Sequence, residues 1–216
     1  MVHCRRCSFS FYGSTWDCAV CRVLSVCPSF MEADHRLFYT GKTEGIKCIG
    51  LIGEKLGHSY SAMIHGKFGE YGYDLLETSA ENLESLLKSS EYGGFNITIP
   101  YKKKVMEFCD ELSDTAKTVG CVNTVVRGED GRLYGYNTDY EGFCYLLKSA
   151  GIDPCGMKCL VLGSGGASLT AQAVLSDMEA GEVTVISRKG KDNYENISRH
   201  FDAEIIVNTT PVGMYP

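Results

Sequence analysis

Three consecutive lysines, Lys102, Lys103 and Lys104, follow a β-prone stretch and a proline in the segment GGFNITIPYKKK of residues 93–104. Lysine runs are usually solvated, and Lys103 and Lys104 fit that interpretation. Lys102 follows NITIP closely, and ligands in open α/β sheets collect at the carboxyl ends of strands. Lys102 is therefore a candidate acid-base residue, with Thr98 on the same stretch.

A proton donor needs a second group that holds it in place. Asp139, in the segment GYNTD of residues 135–139, is the candidate carboxylate from the other side of an inferred cleft. A lysine paired with a carboxylate would supply the proton that a ketone oxygen needs during hydride transfer. His58 and His65 are not assigned an acid-base role.

The second candidate site is a glycine-rich turn between a predicted strand and a predicted helix. Glycine allows the tight turn and close approach to a pyrophosphate that dinucleotide-binding proteins use, with the anion facing N–H groups at the helix start. The alternative is a tight turn without a ligand, but the strand context favours binding. The residues are Gly163, Ser164, Gly165, Gly166, Ala167 and, as a mild departure from the usual glycine or alanine, Ser168.

The next predicted strand ends in Ser187, Arg188 and Lys189. An NAD-type site would carry an acidic residue at about this position to bind the ribose hydroxyls. A guanidinium beside an ammonium instead suits a 2′-phosphate, which favours NADP over NAD. The alternative is a solvated strand end.

Strands and helices alternate from residue 46 onward. Predicted strands are 46–53, 73–77 and 93–100, with helices between them that begin near Ser59 and Ser79. A helix after Pro100, a helix over 111–119 and a hairpin across GEDG at 128–131 follow. This pattern predicts an α/β fold with a parallel sheet covered on both sides. The first domain is expected over residues 46–139.

A helix over 140–150 leads to Gly151 and Pro154, and a second α/β pattern then begins. Strands over 157–162, 182–188 and 203–208 and a helix over 169–180 amount to about half of a doubly wound dinucleotide domain. Residues 140–216 are therefore predicted to form a partial Rossmann-type NADP-binding domain that follows the open α/β substrate domain. This also predicts that the chain is truncated at its C-terminus.

Charge and hydropathy argue against a nucleic-acid-binding protein and against a membrane-spanning protein. Residues 46–216 hold 16 Lys/Arg and 23 Asp/Glu, a net charge of −7, which argues against a nucleic-acid surface. No stretch approaches the roughly 18 apolar residues of a membrane span, and the N-terminus lacks the apolar core of a signal peptide. We expect a cytoplasmic protein without a membrane partner. The sequence is compatible with a homodimer.

Five of the eleven cysteines lie in the first 27 residues, in the pairs CRRC and CAVC and at Cys27. Four thiolates from Cys4, Cys7, Cys18 and Cys21 would satisfy a structural zinc site, but the ten residues between the pairs are a short loop. We favour residues 1–45 as a poorly structured or mis-assigned extension and predict no metal.

Six motifs occur in order and resemble the shikimate dehydrogenase family. They are GEKLGHSYSAMIH at 53–65, GFNITIPYK at 94–102, GCVNTV at 120–125, GYNTD at 135–139, GSGGAS at 163–168 and VNTTPVGM at 207–214. The resemblance covers residues 46–216. It implies an NADP-dependent oxidoreductase that interconverts 3-dehydroshikimate and shikimate, on the chorismate route to aromatic amino acids.

The resemblance also implies roles for individual residues. Ser59 and Ser61 would hold the substrate carboxylate, although simple N-capping would also explain them. Thr98 and Asn123 would contact substrate hydroxyls, and Lys102 and Asp139 match the catalytic pair.

Two departures leave alternatives open. Lys191 and Asp192 stand where a second arginine is common in the family, which weakens the prediction of NADP. The family also continues beyond the VGM motif. A quinate/shikimate dehydrogenase and an inactive substrate-binding fragment are the alternative functions.

Overall fold

The structure is a computed structural model with two compact units. It describes the backbone of residues 2–4 and 9–11 and all atoms of residues 48–57, 59–68 and 71–212. We call Trp16–Thr138 the six-stranded unit, and Met1–Thr15 with Asp139–Pro216 the five-stranded unit.

The six-stranded unit is built on a mixed sheet. Its strands are β3 (Cys48–Gly53), β4 (Tyr73–Glu77), β5 (Tyr92–Ile97), β6 (Glu111–Leu112), β7 (Thr124–Arg127) and β8 (Leu133–Tyr136). Their order in the sheet is β4-β3-β5-β7-β8-β6. The predicted parallel arrangement holds for β3, β4 and β5, whereas β7 runs antiparallel to β5. The GEDG turn joins β7 and β8 into the predicted antiparallel hairpin.

Helices of this unit are shorter than the sequence pattern predicts. They are α1 (Ser61–His65), α2 (Leu83–Leu87), a 3-10 helix (Lys104–Phe108) and α3 (Asp114–Val119). Residues 111–119 were expected to be one helix, but Leu112 pairs with Gly135 in the sheet. The Ser113 hydroxyl accepts the Ala116 N–H at 3.1 Å, which starts α3 at that point.

The core of the six-stranded unit lies between the sheet and its helices. Leu83 and Leu87, on the predicted apolar face of α2, are fully buried with Ile52 and Phe95 of the sheet. Arg127 contacts the end of α2, since its guanidinium donates to the carbonyl oxygens of Leu87, the last residue of that helix, and of Ser89 in the loop that follows. It also donates to the Tyr92 carbonyl, so these contacts lie at the amino end of β5.

The five-stranded unit contains three parallel strands, two α-helices and one 3-10 helix among its described residues. β9 (Lys158–Leu162) lies between β10 (Glu182–Ile186) and β11 (Ile205–Asn208). The helices are α4 (Asp139–Ser149), α5 (Gly166–Asp177) and a 3-10 helix (Ile197–His200). Because all three strands are parallel, the loops after β9, β10 and β11 leave the sheet at the same edge.

Two short strands extend this sheet beyond β11. β1 (Val2–Cys4) pairs antiparallel with β11, and β2 (Phe9–Phe11) pairs with β1. Within the extension 1–45, these six residues are the ones whose backbone the structure describes, and the expectation for the segment as a whole stays a prediction. The zinc hypothesis concerns the side chains of Cys4, Cys7, Cys18 and Cys21. All four side chains lie outside the part of the chain that the structure describes.

In the part of the chain that the structure describes, every helix is too short or too polar to cross a lipid bilayer.

Candidate active site

Lys102 is buried, whereas the two lysines that follow it are exposed. It keeps 9% of its accessible surface, and its carbonyl oxygen accepts the Val122 N–H at 2.8 Å. Lys104 forms a surface ion pair with Glu107 at 2.6 Å. Within one run of three lysines, the fold thus gives Lys102 alone a water-poor environment, where an ammonium interacts more strongly with a neighbouring charge.

Thr98 lies one residue beyond β5 and is also buried. Its N–H donates to the Ile52 carbonyl at 2.9 Å, and its own carbonyl accepts the Tyr101 N–H at 3.0 Å. This turn carries the chain from Thr98 to Lys102. A Cβ atom on Gly53 would lie 2.7 Å from the Thr98 methyl group, so the end of β3 approaches the threonine closely.

Asn123 joins three segments of the six-stranded unit and is 4% exposed. Its side-chain Oδ1 accepts the Thr138 N–H at 2.9 Å, and its Nδ2 donates to the Thr138 hydroxyl at 3.0 Å. Its N–H donates to the Tyr136 carbonyl at 3.0 Å, and its carbonyl accepts the Ile97 N–H at 2.7 Å. The main chain of Asn123 is therefore hydrogen-bonded to the last residues of both β5 and β8.

Asp139 follows Thr138 directly, is buried and begins α4. Asn137, two residues before it, donates from Nδ2 to the Cys121 carbonyl at 3.0 Å. Residues 137 and 138, directly before Asp139, are thus both hydrogen-bonded to the segment 121–123. A carboxylate in the first turn of this helix is favoured by the helix dipole.

Ser59 lies in the turn between β3 and α1, and Ser61 is the first residue of that helix. The Ser59 hydroxyl accepts the Ser61 N–H at 3.2 Å, while the Ser59 N–H donates to the Leu56 carbonyl at 2.9 Å. Ser61 is buried as the first residue of α1. The N-cap position of α1 is Tyr60, which makes no side-chain cap hydrogen bond, so the Ser59 hydroxyl contacts the helix start from one residue before the cap. The substrate role of both serines stays a prediction.

The glycine-rich turn connects β9 to α5 in a conformation that needs glycine. Gly163 has φ +109°, and a Cβ atom there would lie 2.7 Å from the Thr209 hydroxyl oxygen. Gly165 is the N-cap of α5 and has no side chain to satisfy the first N–H groups of that helix. No described atom lies within 4 Å of a Cβ at Gly165, so open space faces the helix start. This arrangement suits a phosphate.

Ser164 belongs to this turn, and Gly166 and Ala167 are the first two residues of α5, which therefore begins before the predicted Leu169. Ser164 and Gly165 are exposed. Ser168 is fully buried, and its hydroxyl accepts Gln172 Nε2 at 3.0 Å. The unusual serine therefore belongs to the helix packing.

The loops after β10 and β11 lie on either side of the glycine turn. Ile186 and Asn208 both pair with Leu162, the last residue of β9. Ser187 is half-buried and Arg188 and Lys189 are exposed beyond β10. On the other side, the Thr209 hydroxyl donates to the Leu162 carbonyl at 2.6 Å. Sequence reasoning gave Thr209 no role; a polar run directly after a buried strand was the available signal.

His65 has a structural environment. Its ring stacks on Tyr73 with 3.9 Å between ring centroids, and its Nδ1 lies 2.7 Å from the Tyr71 hydroxyl. Burial lowers the pKa of His65 to about 4. His58 lies outside the described residues. Among the described residues, no group of three or more His, Cys, Asp or Glu side chains could hold a metal, and the six cysteines are free thiols.

Known proteins share this combination of motifs and fold. Residues 51–125 match the family model of the shikimate dehydrogenase substrate binding domain. The chain is 43% identical over 187 residues to the shikimate dehydrogenase (NADP(+)) of Clostridium beijerinckii, which covers 77% of this chain and 68% of that protein. The chain belongs to the shikimate dehydrogenase family. The enzyme of the same name from Clostridium perfringens is 40% identical over 79% of this chain and 70% of its own length.

Solved structures of shikimate dehydrogenases have the same fold. Shikimate dehydrogenase 1 from Peptoclostridium difficile aligns with a TM-score of 0.73 and 38% identity, over 79% of this chain and 70% of that one. The Thermus thermophilus enzyme in complex with NADP(H) and shikimate aligns with a TM-score of 0.63 and 30% identity, over 78% and 70%. These neighbours confirm the expected α/β fold of a shikimate dehydrogenase, with a substrate domain and a Rossmann-type NADP domain.

Proposed function

We propose that this chain is an NADP-dependent shikimate dehydrogenase that reversibly reduces 3-dehydroshikimate to shikimate. The observation that carries the proposal is the selective burial of Lys102 at the carboxyl edge of the substrate sheet, while Lys103 and Lys104 remain exposed. The names of the curated relatives support the same reaction and the same cofactor.

Lys102 and Asp139 are proposed to manage the proton on the substrate oxygen. Lys102 is anchored through its carbonyl to Val122, and the chain reaches Asp139 through a segment that Asn123 holds. During reduction the oxygen gains a proton as the carbonyl carbon gains a hydride, and the reverse reaction removes both. A lysine and a carboxylate together can hold and release that proton.

Four polar residues of the six-stranded unit are proposed to bind the substrate ring. Thr98 and Asn123 lie at the same edge of the sheet and offer a hydroxyl and an amide to substrate hydroxyl groups. Ser59 and Ser61 offer hydroxyls to the carboxylate. The main-chain hydrogen bonds of Thr98 and Asn123 fix their backbones before any substrate arrives, which lowers the entropy cost of binding.

The five-stranded unit fits the proposed dinucleotide. The positive φ of Gly163 and the open space before α5 suit a pyrophosphate, and the exposed Arg188 and Lys189 beyond β10 suit a 2′-phosphate. Bound NADP(H) supplies the hydride chemistry. The chain's own residues orient the dinucleotide and bind its phosphates.

The test is a spectrophotometric assay of NADPH oxidation with 3-dehydroshikimate, with the reverse reaction measured on shikimate and on quinate. Lys102→Ala should lower kcat by about 100-fold or more, as expected for loss of an acid-base group. Lys103→Ala is the matched control, because this lysine is adjacent but exposed, and should keep the wild-type rate. A Lys102→Ala enzyme with full activity would remove the proposed role. Quinate turnover equal to that of shikimate would change the assigned substrate.

A further inference from the structure

The loop that follows β10 carries three cations and one carboxylate within five residues. Arg188, Lys189 and Lys191 are all exposed. Across the described residues, none of the three lies within 4 Å of a carboxylate oxygen, although the chain is acidic overall. The carboxylate of Asp192, their neighbour in sequence, has a different partner.

Asp192 is held at two points. Its carbonyl accepts the Ser187 N–H at 3.2 Å, which closes the loop on the end of β10. Its carboxylate Oδ1 lies 3.1 Å from Nε2 of His200, in the 3-10 helix of the β10–β11 connection. The closure is tight, since a Cβ atom on Gly190 would lie 2.9 Å from the Asp192 carbonyl oxygen. The side chain of Asp192 is thereby directed to His200.

His200 is suited to hold this carboxylate. Its side chain is 13% exposed, and its buried Nδ1 has no hydrogen-bond partner among the described residues. The contact with Asp192 is therefore the interaction that orients the ring. With Nε2 facing a carboxylate, the proton of the neutral ring lies on Nε2. Asn196 braces the same loop by donating from Nδ2 to the Lys191 carbonyl at 3.0 Å.

We propose that His200 is a positioning residue for cofactor selectivity. By holding the Asp192 carboxylate, it keeps that charge from pairing with Arg188 and its neighbours and leaves these cations available to a phosphate monoester on the ribose. Without His200 the carboxylate competes with the phosphate for the same cations and repels it. This inference rests on the proposed binding of NADP and adds the residues that decide between NADP and NAD.

The experiment measures Kd for NADP+ and NAD+ by isothermal titration calorimetry. His200→Leu should raise Kd for NADP+ by about tenfold and change Kd for NAD+ by less than about twofold, because only NADP+ carries the extra phosphate. His200→Gln, whose amide can donate to Asp192, should restore most of the selectivity. Ser198→Ala, an exposed change in the same 3-10 helix, is the matched control and should leave the ratio of the two Kd values unchanged.

Variants of Asp192 test whether the effect of His200→Leu comes from the released Asp192 charge or from a changed loop structure. Asp192→Asn, alone or combined with His200→Leu, should bind NADP+ at least as tightly as the wild type, because no carboxylate remains to be held. If the double variant is as weak as His200→Leu, or if Asp192→Asn alone weakens NADP+ binding, the proposal is wrong. If His200→Leu fails to fold, weaker NADP+ binding by Asp192→Asn alone still overturns the proposal.

The failure of this inference is distinct from that of the proposed function. A wild-type protein that oxidises NADPH with 3-dehydroshikimate, but whose selectivity survives His200→Leu, overturns only the role of His200. A wild-type protein that binds neither dinucleotide overturns both.

Discussion

The side-chain amide of Asn123 is hydrogen-bonded to Thr138, accepting its N–H at 2.9 Å and donating to its hydroxyl at 3.0 Å. The sequence resemblance assigns Asn123 to the substrate. In the fold the same side chain also positions the residue that precedes Asp139. A single buried amide thus connects the proposed substrate contacts with the proposed catalytic carboxylate.

This relationship makes Thr138 a residue whose loss should affect catalysis without direct substrate contact. Thr138→Ala should lower kcat/KM by about fivefold and reduce the free energy of unfolding by about 1 kcal/mol, since one hydrogen bond to a buried amide is lost. Thr138→Ser keeps the hydroxyl and is the matched control. Steady-state kinetics and urea denaturation measure the two effects. A Thr138→Ala enzyme with unchanged kcat/KM would show that the contact has no catalytic effect.

Gly163 and Gly165 of the glycine-rich turn should respond differently to substitution by alanine. Gly163→Ala places a Cβ atom 2.7 Å from the Thr209 hydroxyl oxygen at a positive φ, so it should destabilise the unliganded protein by about 1–3 kcal/mol. Gly165→Ala meets open space at φ −81° and should leave stability within about 0.5 kcal/mol.

NADP+ binding by Gly165→Ala tests whether the pyrophosphate lies at the start of α5. If the anion lies against the start of α5, the methyl group of Gly165→Ala should weaken NADP+ binding despite normal stability. Calorimetric titration of NADP+ measures this. An unchanged Kd would place the dinucleotide elsewhere.

Arg127 should contribute to stability and not to the reaction. Its guanidinium donates to four carbonyls, those of Leu87 at 2.5 Å, Ser89 at 2.9 Å, Tyr92 at 3.1 Å and Gly131 at 3.2 Å. Lysine cannot reproduce this planar set of donors, so Arg127→Lys should cost about 1–3 kcal/mol of unfolding free energy.

Arg132→Lys is the control for that measurement. Arg132 is exposed and lies 3.8 Å from Glu111, a surface pair worth less than about 1 kcal/mol. Urea denaturation of both variants compares the two arginines, and kcat should be unchanged in each. Equal losses of unfolding free energy would mean that the carbonyl contacts of Arg127 stabilise the fold no more than the surface contact of Arg132 does.

Stability should also depend on pH through His65. Burial lowers the pKa of this histidine to about 4, from 6.5 in an unfolded chain. Between these values the unfolded state binds more protons than the folded state, so the unfolding free energy falls as pH decreases from about 7 to about 4.

His65→Phe removes the titrating group and keeps an aromatic ring against Tyr73. The variant should lose less stability than the wild type over the same pH range, by on the order of 1 kcal/mol. Chemical denaturation at pH 7 and pH 5 measures the difference between the two proteins. Identical slopes would show that His65 does not account for the acid sensitivity.

The helices show where sequence patterns were insufficient. Met63, Ile64, Phe68 and Tyr71 have helical spacing and predict one amphipathic helix, yet α1 ends at His65 and Met63 is 60% exposed. The stacking of His65 on Tyr73 ties the end of this helix to β4 instead. Tertiary contacts of this kind override local periodicity because an isolated short helix is barely stable.

The sequence by itself determined most of the strands and helices, the glycine turn, the family and a short set of candidate residues, in which Lys102 was already separated from Lys103 and Lys104. Periodic burial and backbone conformation are local properties, and an ordered set of six motifs is more specific than any single motif. Only the tertiary structure showed the burial of Lys102, the strand β6 within the expected helix 111–119, and the contacts of Asn123 with Thr138 and of His200 with Asp192. Those relationships depend on hydrogen bonds and burial between residues that are not neighbours in sequence, which no local pattern encodes.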